Sequence, residues 1–548
     1  ARLVRVVHGD CNPQGPGLKF VHVPTNADGR HPGGPQRIDA GSFLVVDEFP
    51  ALAAAPFTFF AMVWPTLVKR DDQTLLCQID PATGAGIHIG LTEGGKVCVT
   101  FSDGATSRTV LAPKAMQQRH WYSLAVAIDP QAGAVTIEQK PVVPYALTDD
   151  SFSAAFKLGA TPPAREAPLY MAGRPEAAGT VGGHFDGKID GPLLLAGLHP
   201  RATHDALLRQ PVDQALRAQV IARWDFSKEI RSTKAVDIGP FRRDGRLVNL
   251  PTRGMKGWNW TGEEHSWSLK PEHYGAIHFH SDDVYDAGWK TSVSVQIPDD
   301  LRSGPYALHV SCGPSDSSAT REDYLAFFVR PPRRRATAPL LFVASTATFL
   351  AYANIATRLD QSGFEVHSES LVTLSADDVY LSEHRELGLS CYDTHSDGSG
   401  ACYSSAARPI LNSRVRGNTF NYVNDTHILD WLEQHEISYD VLTDEDIDRE
   451  GASLLAPYQT VITGSHPEYV TKPMLDALEA YQNGGGRHMY LGGNGFYWRT
   501  AFHPTRRGLI EIRRGVTGTR TWECEPGENN LSFTGDPSGL WRGSGRAP

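Results

Sequence analysis

The sequence predicts a multidomain protein in which two β-rich regions precede an α/β region. Short alternating apolar runs recur up to residue 250, a second group of short runs follows, and strands alternate with amphipathic helices from residue 338 onward. A chain of 548 residues is too long for a single hydrophobic core. We therefore place the domains at residues 1–250, 251–330 and 338–548.

The N-terminal region has the pattern of a β-sandwich. Alternating runs at residues 57–64, 121–128 and 135–137 are separated by clusters of Gly, Asp and Pro, as in sandwich proteins. The first two runs and a turn at residues 185–191 resemble a concanavalin or laminin-G-like jelly roll. One helix is expected within residues 204–217.

The middle region predicts a small sandwich or a sheet that extends the first domain. It contains strand-like runs at residues 276–280, 292–295, 306–310 and 324–329. A stiff linker is expected at residues 331–335, where two prolines precede three arginines.

The C-terminal region predicts a parallel, doubly wound sheet. Strands are expected at residues 340–343, 439–442, 460–463 and 489–491. Helices are expected at residues 427–433 and 471–482. A further helix is expected to begin after Thr443, which can serve as its N-cap. Strands that alternate with helices in this way form a parallel sheet.

The composition disfavours several classes of protein. The formal net charge of −10 and the scattered basic residues disfavour nucleic-acid binding. No apolar run approaches the ~18 residues that cross a bilayer, and no signal peptide is visible, so no membrane association is expected. Seven widely spaced cysteines without a CxxC pair indicate reduced thiols and a cytoplasmic location.

Polar loops follow the predicted parallel strands at the edge where such sheets bind ligands. One loop holds His466, Pro467, Glu468 and Tyr469 after the strand at residues 460–463. Pro467 fixes the backbone between two functional side chains, so His466 and Glu468 can face the same pocket. The alternative is a helix cap whose acidic residue favours the helix dipole.

A second loop follows the strand at residues 489–491. It holds Gly492, Gly493, Asn494 and Gly495, and these glycines allow the backbone to approach a ligand closely. The loop is neither a GxGxxG motif nor a phosphate loop, so a nucleotide site is not expected. A tight loop packed under aromatic residues is the alternative.

Several motifs in order resemble the large (beta) subunit of the N,N-dimethylformamidase family. They are the residues 274–280, the loop at residues 391–405, the HPEY motif, the GGNGFYW motif and residues 521–523. The α/β region is also similar to the class I glutamine amidotransferase fold. The resemblance implies hydrolysis of a small N-substituted formamide, or a related amide, to an acid and an amine.

The resemblance also implies one ferric iron held by two tyrosines and a glutamate. The matching positions are Tyr352, Tyr392 and Glu468, with competitors for the tyrosine positions at Tyr403, Tyr439 and Tyr469. Phenolate and carboxylate oxygens suit ferric iron better than zinc or copper.

The resemblance assigns further roles around this centre. His466 and Glu468 would move protons, and Asn494 would donate to the developing oxyanion. Phe496 and Trp498 would form an apolar wall for the substrate. The resemblance also implies a small helical partner subunit and association between copies of the large subunit, and it implies a family chain that continues beyond the point that matches Pro548.

Two other functions stay open on the sequence. Cys391 and Cys402 lie near the same predicted edge, which leaves a Cys-dependent, amidotransferase-like hydrolase as an alternative. The jelly-roll pattern leaves a non-catalytic, lectin-like binding or assembly protein as another.

Overall fold

The computed structural model describes most of the chain in twelve segments. They cover residues 2–5, 37–92, 94–177, 179–209, 214–291, 294–312, 321–333, 335–356, 376–412, 415, 421–515 and 521–546.

The N-terminal part is built almost entirely from antiparallel strands. In chain order the described strands are β1 (Arg2–Arg5), β2 (Phe43–Val46), β3 (Phe57–Pro65), β4 (Gln73–Ile79), β5 (Gly86–Leu91), β6 (Lys96–Ser102), β7 (Ser107–Ala115), β8 (Tyr122–Asp129), β9 (Ala134–Pro141), β10 (Phe152–Lys157), β11 (Leu169–Met171), β12 (Arg174–Pro175), β13 (Val181–Gly182), β14 (Gly187–Ala196), β15 (Val220–Asp225), β16 (Lys234–Asp237), β17 (Gly245–Val248), β18 (Thr252–Met255) and β19 (Ala276–Phe279).

Sixteen of these strands form one continuous sheet that folds back on itself. The order is β10-β9-β8-β3-β14-β15-β16-β17-β2-β11-β4-β5-β6-β7, with β19 beside β14 and β18 beside β19. Both halves contribute alternate side chains to one core, which includes Phe59 of β3 and Ile89 of β5. Alternate side chains along these strands face this core, which explains the two-residue periodicity, and the β-rich architecture predicted for this sandwich region is confirmed.

The helix expected within residues 204–217 differs from the structure in its bounds. Helix α1 (Arg201–Arg209) begins earlier, and α2 (Gln214–Arg217) follows it. Residues 210–213 between them lie outside the described residues.

The middle region contributes to two different sheets. Its first strand, β19, completes the sandwich by pairing with β14. The strands β20 (Gly304–Cys312) and β21 (Arg321–Val329) instead form a three-stranded antiparallel sheet with β1. The strand expected at residues 292–295 is absent at Ser294 and Val295, while residues 292 and 293 lie outside the described residues.

The C-terminal part contains the expected parallel sheet. Its strands are β22 (Leu340–Ala344), β24 (Tyr439–Thr443), β25 (Thr460–Thr463) and β27 (Arg487–Tyr490), in the order β24-β22-β25-β27. Leu341 and Val343 belong to one core cluster, whereas Phe342 and Ala344 belong to another. A strand that is buried on both faces is a continuous apolar run, as the sequence of β22 is.

Six α-helices are described in this part: α3 (Thr346–Ala351), α4 (Ala376–Glu383), α5 (Tyr422–Gln434), α6 (Asp444–Glu450), α7 (Ala452–Leu455) and α8 (Lys472–Asn483). Helix α5 shares one core cluster with the sheet and α8 shares the other, so helices cover both faces, whereas Leu381 of α4 packs in a separate cluster. Thr443 caps α6 through a capping box with Asp446, as the sequence predicts, and Thr471 caps α8. None of the helices in the described ranges combines the length and the apolar character that a membrane crossing requires.

A second C-terminal sheet has no counterpart in the sequence prediction. It joins β23 (Tyr403–Ser405), β29 (Leu509–Ile512), β28 (Trp498–Phe502) and β26 (Tyr469–Val470), and β30 (Gly539–Leu540) pairs with β28. Strand β26 follows the HPE residues directly, and β28 follows the GGNG residues. The sheet therefore anchors the C-terminal ends of both loops.

Candidate active site

Tyr352 lies just beyond the first strand of the parallel sheet. The chain leaves β22 at Ala344, turns through α3 and places Tyr352 at the C-terminal end of that helix. The hydroxyl of Thr348 in α3 accepts hydrogen bonds from the backbone N–H groups of Glu468, at 3.1 Å, and Tyr469, at 3.2 Å. Helix α3 therefore sets the position of Tyr352 and of the HPEY loop together.

Glu468 lies at the carboxyl end of β25, where the sequence predicts a ligand-binding edge. The carboxylate of Asp425 holds the start of this loop by accepting from the Ser465 N–H at 2.6 Å and from its hydroxyl at 2.8 Å. A side chain at Gly464 would collide with the same carboxylate. Glu468 is 5% exposed, so the loop turns its carboxylate into the protein.

Tyr392 belongs to a polar loop that packs against the end of α3. The carbonyl of Ala351 accepts from the Ser390 hydroxyl at 2.9 Å and from the Cys391 N–H at 3.2 Å. Since Ala351 precedes Tyr352, these bonds bring the two predicted tyrosines side by side. Their rings stack with centroids 4.2 Å apart.

The oxygen atoms of Tyr352, Tyr392 and Glu468 converge on one point. The Tyr352 hydroxyl donates to Glu468 Oε2 at 2.8 Å, and the two hydroxyl oxygens lie 2.5 Å apart. The Tyr392 hydroxyl lies 3.3 Å from each oxygen of the Glu468 carboxylate. The structure thus brings together three residues that are up to 116 positions apart in the sequence.

A third phenol and a buried arginine complete the cluster. Tyr469 donates its hydroxyl hydrogen to Tyr392 Oη at 2.7 Å, and Arg514 donates from Nη2 to Tyr469 Oη at 2.9 Å. The Arg514 guanidinium also lies 4.2 Å from the centre of the Tyr392 ring, which is a cation–π distance. The prediction for Tyr469 as a competing tyrosine therefore has a structural basis, whereas Arg514 was missed.

Arg514 follows the last residues of β29 and is almost completely buried. The carbonyl of Cys391 accepts from Arg514 Nη2 at 3.0 Å and from the Trp522 indole at 3.1 Å. Arg514 therefore fixes the backbone next to Tyr392 as well as the Tyr469 hydroxyl. The only sequence signal for it is a pair of arginines directly after an apolar strand, a pattern that does not indicate burial.

The electrostatics of the cluster keep its phenols protonated. Burial, followed by the nearby Tyr392 phenol and Glu468 carboxylate, raises the pKa of Tyr352 far above its ordinary value. Burial and Glu468 raise the pKa of Tyr392 in the same direction. Burial opposes the charge of Arg514, but Tyr469 and Tyr392 outweigh it and raise its pKa.

The donor set fits a small, hard metal ion. All three groups offer oxygen atoms, which suit hard cations such as ferric iron. Metal–oxygen bonds of about 2.0 Å at right angles separate neighbouring ligand oxygens by about 2.8 Å. The spacings of 2.5, 2.8 and 3.3 Å between these oxygens bracket that value.

His466 and Asn494 line the outer side of the cluster. His466 Nε2 lies 3.1 Å from Glu468 Oε2, and Asn494 Nδ2 lies 3.3 Å from His466 Nε2. Asn494 is exposed and His466 is partly exposed, so this side faces solvent. Asn494 has a φ of +50°, a left-handed conformation that asparagine tolerates better than most residues.

Phe496 and Trp498 are both buried beneath the loop. Phe496 packs near His488 and Tyr490, with ring centroids 5.9 and 5.8 Å away. Trp498 lies under Arg514, whose guanidinium carbon is 4.9 Å from its ring. The described contacts place both rings in the hydrophobic core, and their role as a substrate wall stays a prediction.

Comparison with known proteins identifies the family. A model of the C-terminal region of N,N-dimethylformamidase beta subunit-like proteins matches residues 252–548, which is more than half of the chain. The chain belongs to the N,N-dimethylformamidase beta subunit family. This confirms the resemblance drawn from the sequence.

Two curated relatives carry the same family name over the whole chain. The N,N-dimethylformamidase beta subunit of Paracoccus aminophilus is 36% identical over 577 residues, and that of an Alcaligenes species is 35% identical over 579 residues. Each alignment covers 100% of this chain and 74% of the relative. Both names denote a subunit of a hydrolytic enzyme, which agrees with the predicted enzyme class.

Two solved structures that match part of the chain resemble it only weakly. A SAP-like pentraxin from Limulus polyphemus is 8% identical, with a TM-score of 0.23 over 30% of this chain and 74% of the pentraxin. Domains LG4-5 of the mouse laminin alpha1 chain are 15% identical, with a TM-score of 0.22 over 29% of this chain and 41% of the laminin fragment. Likenesses this weak bear on neither the fold nor the function of this family member.

The remaining competitors for the tyrosine positions lie elsewhere in this dimethylformamidase-like chain. Tyr403 bonds to Ser532 at 3.0 Å and stacks on Phe533, while Tyr439 donates to Glu433 at 2.9 Å. Of the three competitors, Tyr469 alone bonds to the converging phenols.

The two cysteines of the alternative mechanism are buried. Burial raises the pKa of the Cys391 thiol to about 12, and it raises that of Cys402 as well. A buried, protonated thiol is a poor nucleophile.

Proposed function

We propose that this chain is the catalytic subunit of an amide hydrolase. The reaction is hydrolysis of a small N-substituted formamide, such as N,N-dimethylformamide, to a carboxylic acid and an amine. The observation that carries the proposal is the convergence of the Tyr352, Tyr392 and Glu468 oxygens beyond the parallel sheet. The curated relatives, which are named for this activity, supply the substrate class.

We further propose that these three residues hold one ferric ion. Their hard oxygen donors and their spacing support the assignment. When bound, the ion would supply Lewis-acid polarisation of the amide carbonyl and would lower the pKa of a water molecule.

The surrounding residues would handle protons and charge. His466 lies between the buried Glu468 and the exposed Asn494, so it can pass a proton between the reacting groups and solvent. The Asn494 amide can donate a hydrogen bond to negative charge that develops on the carbonyl oxygen. Arg514 would keep Tyr469 and Tyr392 in place through its hydrogen bond and its contact with the Tyr392 ring.

The finer predictions on assembly and fold belong to the same proposal. The name of the relatives denotes one subunit among several, which supports a partner chain such as the predicted small helical subunit. Association between copies of this chain, a cytoplasmic location and an amidotransferase-like α/β fold remain part of the proposal. The sandwich would act as a jelly-roll interaction module.

Metal analysis of purified variants tests the iron assignment. We expect the wild-type chain to contain a single iron ion and to absorb visible light through tyrosinate-to-iron charge transfer. The Glu468→Gln and Tyr352→Phe variants should lose the iron, the absorption band and the hydrolysis of N,N-dimethylformamide. Tyr439→Phe is the matched control, because it removes a phenol hydroxyl from the same part of the chain at a distance from the cluster.

Two results would leave the assignment without support. Retention of iron and full activity in both ligand variants would show that these residues do not bind the metal. Loss of iron in the Tyr439→Phe control would show that the effect is a general loss of folding.

A further inference from the structure

A second cluster of titratable side chains lies outside the tyrosine–glutamate centre. His278 is on β19 of the sandwich, and His280, Asp282 and Asp283 follow that strand directly. They face the loop that follows Tyr392, which contributes His395 and Asp397. All six residues have low exposure, and Asp397 is 6% exposed.

The side chains of His278, His280 and Asp397 place atoms that can bind a metal ion close together. His278 Nε2 lies 3.0 Å from Asp397 Oδ2, and His280 Nε2 lies 3.9 Å from the same oxygen. All three ligand atoms lie within 4.8 Å of one another. Zinc bonds of about 2.0 Å in a tetrahedral site separate ligand atoms by about 3.3 Å, so a small adjustment of these side chains would accommodate the ion.

The imidazole of His280 is oriented as metal-bound histidines are. Its Nδ1 lies 3.2 Å from Asp283 Oδ2, and Ser42 holds that same carboxylate oxygen at 2.6 Å. The ring also stacks on His395, with centroids 3.8 Å apart. A carboxylate on one ring nitrogen fixes the tautomer that leaves the other nitrogen, Nε2, as a ligand.

The charges of the cluster call for a cation. The buried carboxylates of Asp283 and Asp397 and the partly buried carboxylate of Asp282 lie beside the three imidazoles. Among the described residues, the one non-histidine cation within ion-pair distance of these carboxylates is Arg385, whose Nη2 lies 3.9 Å from Asp282. Buried carboxylates need compensating positive charge, which either protons on the imidazoles or a divalent ion can provide.

A cavity lies against the triad. Its walls include His278, His280 and Ser399 together with Trp64 and Trp522. The hydroxyl of Ser399 lies 2.9 Å from His280 Nε2. Space on this side would leave a coordination position for water or for a small ligand.

We propose that His278, His280 and Asp397 bind a divalent cation of the zinc type, separate from the tyrosine–glutamate centre. Two imidazoles and one carboxylate form a ligand set typical of zinc sites, whereas the tyrosine–glutamate centre offers oxygen atoms only. The ion would join β19 of the sandwich to the loop that carries Tyr392. Asp283 would hold the His280 ring through Nδ1, on the side away from the ion. The coordination position that faces the cavity would remain open.

Titration of the metal-stripped full-length chain with Zn²⁺ alone tests the proposal. We expect the wild-type chain and the Glu468→Gln variant to bind one zinc ion with equal affinity, since Glu468 belongs to the other centre. The His278→Asn and Asp397→Asn variants should lose this binding, and Asp283→Asn should weaken it by about 10- to 100-fold. His204→Asn, which changes a buried imidazole of the sandwich far from these ligands, should bind zinc as the wild type does.

The absorption spectrum of Co²⁺ bound to the wild-type chain provides a measurement that needs no variant. A four-coordinate spectrum that zinc abolishes would support the site. The proposal is overturned if the wild type binds no zinc or cobalt, or if His278→Asn binds zinc as tightly as the wild type. It is also overturned if Glu468→Gln abolishes zinc binding, because the ion would then belong to the first centre.

Discussion

At the scale of single residues, the hydroxyl of Tyr469 adds a hydrogen bond to the set of three proposed ligands. It donates to Tyr392 Oη and accepts from Arg514. In the iron-loaded enzyme, we expect Tyr469→Phe to retain iron but to shift the charge-transfer band to longer wavelength. Loss of the donated hydrogen bond raises the energy of the electrons on the Tyr392 phenolate, so their transfer to iron requires less energy.

Tyr403→Phe is the matched control for this prediction. It removes another buried tyrosine hydroxyl, whose partner is Ser532, and should leave the band in place. Each substitution is expected to cost about 1–3 kcal/mol of stability, because a buried partner loses its hydrogen bond. An unchanged band in Tyr469→Phe would show that the Tyr469 hydroxyl does not influence the electrons of the Tyr392 phenolate.

At the scale of elements, strand β14 carries a buried carboxylate with no cationic partner among the described ion pairs. Asp190 lies against the backbone at Gly257 and Gly275, where an added Cβ would approach its carboxylate oxygens closely. Burial raises the pKa of Asp190 to about 7, while backbone N–H groups of Trp258 and Gly191 act in the opposite direction. Below about pH 7, the folded chain therefore favours the protonated form of the Asp190 carboxyl group.

This raised pKa predicts how stability depends on pH. The unfolded carboxyl ionises near pH 3.8, so the unfolded state releases its proton first and stability falls as the pH rises from 4 to 7. The loss can reach about 4 kcal/mol, since one pKa unit corresponds to about 1.4 kcal/mol. Urea denaturation of the Asp190→Asn variant should show a smaller decline over this range than the wild type. Parallel pH profiles for the two proteins would refute the prediction.

At the scale of the whole molecule, a buried ion pair joins the sandwich to the C-terminal segment. Lys188 Nζ of β14 lies 2.6 Å from Glu528 Oε1 and 4.3 Å from the centre of the Trp64 ring. Lys188→Met should destabilise the chain by about 3–5 kcal/mol, because it leaves a buried carboxylate without its charge partner.

An exposed pair provides the comparison for this prediction. Lys472 and Asp476 are also 2.6 Å apart, but both side chains are about half exposed. Lys472→Met should therefore change the free energy of unfolding by less than about 1 kcal/mol. Similar urea midpoints for the two variants would show that the Lys188 pair contributes no more than a surface contact.

The sequence predicts the parts of this architecture that depend on periodicity. The sandwich, the parallel sheet and the loop at Glu468 follow from alternating or continuous apolar runs and from the rule that such sheets bind ligands at their carboxyl edge. Tyr352 and Tyr392 could be singled out only through the family resemblance, because a lone tyrosine in a loop has no distinguishing pattern.

Other features depend on contacts between distant segments. Arg514 acquires its role from β29, a four-residue strand in a sheet that the sequence does not predict. His278 and His280 appear in the sequence as alternate residues of one strand, and nothing there indicates that Asp397 lies opposite them. Long-range pairing of short strands leaves no local signal, so these contacts become visible only in three dimensions.

The separation of the converging residues along the chain has a consequence for folding kinetics. Tyr352 and Tyr392 are 116 and 76 positions from Glu468, and His395 is 113 positions from Asp282. Contacts this distant form after local helices and hairpins, because closing long loops costs entropy before any bond repays it. We therefore expect the oxygen cluster to be completed late, after β25 has joined β22. On the proposed function, capture of the metal ion would be a final step of folding, and the supply of the ion would help determine the yield of native protein.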